Sequence, residues 1–254
     1  VTAEQLDRVV RNSLRTLPEG LADLVGRHLA AAEALLAEDP QQAMAHTRAA
    51  VRRAGRVAVV REAAGIAAYA AGDFAEARTE LRAAARISGS ADYLPMLADC
   101  ERGLGRPDKA LELAASAEVE RLDDAGKVEM LIVAAGARRD QGQDEAAVLT
   151  LQVPALRART KASWLPRLRY AYADALLGAG RGAEARTWFL RAAQADPEAL
   201  TDAVERVDEI DGIDFDELDE VEEDAPSEGP GDADVRPEEP YEPTNDPAAG
   251  SAGS

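Results

Sequence analysis

Gly72-Asp73-Phe74-Ala75-Glu76-Ala77 and Gly105-Arg106-Pro107-Asp108-Lys109-Ala110 share one frame: Gly, then Phe or Pro two residues on, then Ala at the sixth position. Each residue type has a mechanical reason. Gly ends a helix because it enters the left-handed backbone region without a Cβ penalty, and Pro or a small residue opens the next helix. Ala at a fixed offset lets two helix backbones approach to about 8–10 Å. The stretch therefore predicts a helix, a tight reversal and a second helix packed closely on the first.

The frame recurs outward from there. Weaker copies are Glu38…Pro40…Ala43, Gly142…Asp144…Ala147 and Gly180…Gly182…Ala185. The Ala positions 43, 77, 110, 147 and 185 are separated by 34, 33, 37 and 38 residues, close to the period of a two-helix repeat. Ala alone matches many rulers because it is the best helix former; the Gly ahead of it, present in four of five units, is the discriminating residue. Four residues after the Ala stand Thr47, Leu81, Ala114, Leu151 and Phe189, and seven after it Ala50, Ala84, Ala117, Pro154 and Ala192. Pro154 has to shorten its helix. Strand alternation is almost missing, so residues 20 to 211 read as helix, with turns near 38, 72, 105, 142 and 180.

These residues resemble the tetratricopeptide repeat (TPR) family, over roughly Leu21 to Ile210. Tyr172, Ala173, Gly180, Ala185, Phe189, Ala192 and Pro197 fall at that family's signature positions, and the second unit supplies Gly65, Gly72, Phe74, Ala77, Leu81 and Ala84. Pro107, Asp144 and Gly182 stand where an aromatic is expected, so units three to five are expected to pack less regularly. The resemblance implies an all-α, TPR-like right-handed solenoid of about five antiparallel helix pairs.

Both ends read as caps. Thr2 with Gln5 forms a capping-box pattern ahead of Leu6, Val9, Val10, Ser13 and Leu14, an apolar stripe at helical spacing. Asp196 and Pro197 are expected to start a closing helix with Leu200, Val204, Val207 and Ile210 on one face. The organisation expected is thus a capping helix over residues 1–17, a repeat domain over 18–211 and a tail over 212–254.

The net charge is −19, of which the tail carries −14, from 15 acidic residues against the single Arg236; residues 1–211 hold only −5. That acidic, apolar-poor tail buries too little to offset ordering entropy and reads as disordered. It admits two readings: a solubilising extension, or a recognition segment built on Ile213, Phe215, Leu218 and Val221. The acidic balance disfavours nucleic acid, whose phosphates are bound by Lys and Arg. No apolar run reaches the roughly 18 residues of a membrane span, nor does the start carry a signal-peptide core. A cytoplasmic protein is expected, and the lone Cys100 fits a reducing compartment. Only Lys109, Lys127 and Lys161 stand among 29 basic residues, a coding bias that suggests a high-GC bacterium.

Little in the chain suggests chemistry. His28 and His46, on different helices, are too few for a zinc site. Cys100 sits among Leu97, Ala98 and Leu104 and reads as inert packing. The Gly-rich turns follow no strand, as phosphate cradles would require. Asp123-Asp124 reads as a helix cap. Arg48, Arg52, Arg53 and Arg56 form a basic run, either a solvated face or a receiver for the acidic tail or an acidic partner.

The resemblance further implies that the first helices of the pairs line a concave face. Tyr69, Met96, Asp99, Arg102, Arg139, Arg167, Tyr170 and Asp174 are its candidate binding residues, with Val25, His28, Val59, Glu62, Ile66, Asp92, Glu129 and Ile132 on the same face. The family's carboxylate clamp does not carry over, because His28, Ala32, Glu62, Ile66, Pro95 and Asp99 occupy its positions. The expected function is a scaffold or adaptor that takes a peptide or helix of a partner protein, with no cofactor. The alternatives are a module regulated by its own acidic tail, and an enzyme with catalytic residues between repeats.

Overall fold

The computed structural model describes residues 1–212. Twelve α-helices fill them, and no strand occurs among the described residues. In order they are α1 (Arg8–Leu14), α2 (Glu19–Leu35), α3 (Pro40–Ala54), α4 (Ala58–Ala70), α5 (Phe74–Ser88) and α6 (Leu94–Gly103). There follow α7 (Pro107–Ala114), α8 (Asp124–Asp140), α9 (Asp144–Leu151), α10 (Trp164–Gly178), α11 (Gly182–Ala193) and α12 (Ala203–Asp211).

Four of the five expected turns are the same object. At Gly72 the backbone takes φ 77°, its N–H donates to Tyr69 O at 3.0 Å, and Asp73 N donates to Ala68 O at 2.9 Å. This is a Schellman closure, which satisfies the last carbonyls of a helix and needs a left-handed residue. Gly105, Gly142 and Gly180 repeat it with the same two bonds, the longer one from Arg106 to Glu101, Gln143 to Arg138 and Arg181 to Leu176. The three-residue gap reverses the chain. On α4 and α5 the Tyr69 and Phe74 rings meet at 5.6 Å, while a Cβ on Gly65 would stand 2.6 Å from Leu81 Cγ. Residue numbers that rise on one helix as they fall on the other define an antiparallel pair.

Ala43, Ala77, Ala110, Ala147 and Ala185 are each 0% exposed, as their close-contact role demands. The substantial contacts run α2 to α3, α4 to α5, α6 to α7, α8 to α9 and α10 to α11 within pairs, and onward to the next helix between pairs. α2 also touches α4, α6 touches α8, and α8 touches α10, so first helices meet directly. The apolar interior accordingly divides into four clusters in series along the chain.

Irregularity falls on units three and four. α7 and α9 are only eight residues long, each followed by a 3-10 turn, at Ala117–Arg121 and Pro154–Arg157. Ala117 is consequently exposed rather than packed, and α9 stops three residues before Pro154, whose nitrogen cannot continue the bonding. Unit five is regular despite Gly182, since α11 runs twelve residues and buries Ala185, Phe189 and Ala192.

Both ends depart from the sequence reading. Gln5 Oε1 does accept from Thr2 N at 2.9 Å, but this closes only a 3-10 turn at Ala3–Gln5; α1 begins at Arg8, after Asp7 has capped Val9 N at 2.6 Å. At the other end Asp196 starts no helix. Its carboxylate accepts from Leu200 N at 3.0 Å, Thr201 N at 2.8 Å and Thr201 Oγ1 at 2.7 Å, which ties residues 196–201 into a non-helical turn with Ala199 at φ 49°. α12 then buries Ala203 and Val207, while Leu200 and Val204 are 64% and 58% exposed.

Candidate functional site

The first helices bring five of the eight candidate residues to one open cleft of about 560 Å³: Arg102 from α6, Arg139 from α8, and Arg167, Tyr170 and Asp174 from α10. Ile132, Ala135 and Gly136 of α8, Leu151 of α9, Ala171 and Ala175 of α10, and Leu200 to Asp202 ahead of α12 complete its surface. Gly136 is there for space. An added Cβ would stand 2.4 Å from Arg102 Cζ, so the guanidinium of Arg102 lies directly on the α8 backbone.

The polar candidates are tied to one another across helices. Tyr69 OH donates to Asp99, and Arg102 Nη1 donates to the other Asp99 oxygen at 2.7 Å. Arg102 also forks onto Asp140, with Nε at 2.8 Å and Nη2 at 3.2 Å. Arg139 pairs with Asp174, which Arg206 of α12 approaches at 3.5 Å. Arg167 forks onto Glu129 at 2.7 and 2.8 Å. Tyr69 and Asp99 lie outside the cleft lining, and the ion pairs of Arg102, Arg139 and Arg167 link α6, α8, α10 and α12 along it. Burial and then the Asp99 hydrogen bond push the Tyr69 phenol pKa up; for Tyr170 the causes are burial and the neighbouring Asp202. Both phenols stay neutral at physiological pH.

Met96 and Val25 are not in this cleft. Met96 packs against the cluster around Leu81 and Leu97, and Val25 is fully buried under α1. The four tail residues Ile213, Phe215, Leu218 and Val221 lie outside the described residues. Arg48 does not belong to a free basic face, because Glu76 holds it through two nitrogens and Asp73 stands at 3.7 Å; Arg61 is likewise held by Glu80 at 2.7 Å. Asp123 caps α8 through Gly126 N at 2.7 Å.

Several partners were hidden from the sequence. Asp140 and Asp202 carry no local pattern that marks them, and Leu200 stood on an expected helix face. Glu101, 1% exposed, is enclosed by Arg78 at 3.3 Å, Arg82 at 3.1 Å and Arg106 at 3.7 Å, a paired buried charge that locks α5 to α6. His28 and His46 meet with their Nδ1 atoms 3.1 Å apart, so one ring donates and the other accepts. Burial, then His46, then Arg53, Arg27 and Arg52 lower the His28 pKa from its ordinary 6.5. A base with a depressed folded pKa binds fewer protons folded than unfolded, so stability is whole above pH 6.5 and falls as pH drops through the folded value. Urea midpoints measured from pH 8 down to about 5 should decline in this window, and His28→Asn should flatten the part of the decline that belongs to the pair.

Cys100 is fully buried, and desolvation, followed by Asp99 and Glu101, pushes its thiol pKa up to about 12. Thiolate is the reactive form. Ellman's reagent at pH 8 should therefore label the native protein only at the rate of opening and label denatured protein at once.

No helix among the described residues is long and apolar enough to cross a membrane, and no group of three or more His, Cys, Asp and Glu among them is placed to hold a metal ion. No protein-family model matches the chain, and no curated protein matches it. The chemistry of the cleft is read from its own residues: paired charges that fix the walls, and apolar surface from Ile132, Ala171 and Leu200 left between them.

Proposed function

We propose that the body is a TPR-like stack of five helix pairs, bounded by α1 and α12, that acts as a scaffold by binding a segment of another protein along its first helices. The observation that carries this reading is the 560 Å³ cleft, which takes residues from α6, α8, α10 and the approach to α12. An extended or helical segment needs a surface that several elements build together, with apolar anchors between polar guides. The repeated Gly turns and the contacts between neighbouring helices support a serial stack. Pairing of the Arg residues supports binding over chemistry, because each guanidinium is already engaged with a carboxylate.

The test is affinity capture from the native host by the full chain and two variants, quantified by mass spectrometry. Ile132→Arg should abolish recovery of the partner that the wild type captures, whereas Lys109→Glu, exposed on α7 and outside the cleft, should recover it equally. Equal recovery by Ile132→Arg would remove the cleft from the function.

A further inference from the structure

A second cleft opens near the start of the chain, about 270 Å³ in volume, where α1, α2 and α4 meet. Its walls are apolar, from Val10, Leu29, Leu36, Val59 and Ile66, and its edges are Asp7, Glu33 and Glu62. Clefts that enclose drug-sized molecules run roughly 300–1,000 Å³, so this one suits one or two apolar side chains better than a cofactor.

Its charge differs in kind from that of the first cleft. There every Arg has a carboxylate; here none of the three carboxylates forms an ion pair among the described residues. Asp7 caps the backbone of Val9, Glu62 accepts from Tyr93 OH at 3.0 Å, and Glu33 is exposed. No Lys or Arg lines the cleft. Uncompensated acids around an apolar slot attract cations flanking an apolar anchor and repel acidic segments.

We propose that this cleft docks a basic amphipathic helix of a partner protein, with Leu-like side chains in the slot and Lys or Arg against Asp7, Glu33 and Glu62. The proposal rests on the reading of the body as a protein-binding scaffold, and it assigns to the α1 end a partner chemistry that the first cleft does not share.

The probe is a fluorescein-labelled 18-residue Leu/Lys amphipathic peptide titrated into the full chain by anisotropy, beside an Ala/Lys peptide of equal charge and a Leu/Glu peptide. Leu/Lys should bind about tenfold or more tighter than Ala/Lys, a difference of roughly 1.4 kcal/mol, and Leu/Glu should not bind. Glu33→Arg, at an exposed unpaired site, and Ile66→Ala should each weaken Leu/Lys binding several-fold, whereas Lys109→Ala, exposed on α7 and outside this cleft, should leave it unchanged. Equal affinity for Leu/Lys and Ala/Lys, meaning attraction by charge alone, would overturn the proposal. So would wild-type affinity in both Glu33→Arg and Ile66→Ala. Because this titration uses no native partner, its failure is distinct from a failure of the capture experiment at Ile132.

Discussion

Phe189→Ala is expected to destabilise the protein by about 3–5 kcal/mol, the usual cost of removing a buried aromatic ring. Phe189 is 0% exposed and is the largest fully buried side chain among the described residues. Its ring meets Tyr170 edge-on at 5.2 Å, and Arg206 lies 5.5 Å from its centroid, so it fastens α11 to both α10 and α12. Truncation leaves a cavity that three helices must share, and helices fixed by the Gly180 turn can close it only in part. Chemical denaturation should report the loss as a lower midpoint. Phe189→Leu should recover more than half of it, because most of the volume returns.

The second large effect is expected from the opposite error, overpacking. Ala77→Leu adds three carbons at a position that is 0% exposed, inside the cluster formed with Ala43, Ala67, Ala68 and Leu81. The α4–α5 approach that places Gly65 against Leu81 leaves no room for them. A cost of roughly 1–3 kcal/mol is expected, and Ala185→Leu should behave alike in unit five. Thr79→Leu, exposed two residues further along the same helix, is the control and should stay within about 0.5 kcal/mol. Unchanged midpoints for Ala77→Leu and Ala185→Leu together would mean that these Ala residues do not mark close helix contacts.

What could be read from the sequence follows from how local each determinant is. Gly72, Gly105, Gly142 and Gly180 end helices through bonds to residues three and five positions back, so the signal sits within one turn of the chain. The Ala ruler was legible for the same reason. Asp196 misled because its carboxylate can serve either as a helix cap or as the hub of a turn; it takes the N–H groups of Leu200 and Thr201 and breaks the expected helix there. Leu200 and Asp202 thereby join the cleft from a segment read as helical.

The candidate site was legible as a face and not as a network. Counting along first helices places Arg102, Arg139, Arg167, Tyr170 and Asp174 together. Which carboxylate each Arg holds depends on side-chain direction across helices 32 to 38 residues apart, and no periodicity encodes it. The contact of His28 with His46 was hidden for the same reason, since the crossing of α2 and α3 decides it. Arg48 looked free because its partners, Glu76 and Asp73, lie on the next helix pair.

The most direct measurement of the central claim is a methyl NMR footprint of the captured partner on the full chain, with Ile, Leu and Val methyls labelled. The scaffold reading predicts that shift changes and broadening concentrate at Ile132 and Leu200, which border the first cleft, with Leu149 on α9 and Leu190 on α11, 67% and 38% exposed, left unperturbed. Perturbation centred on Leu149 and Leu190 with Ile132 and Leu200 unchanged would place the binding surface on the second helices and contradict the account.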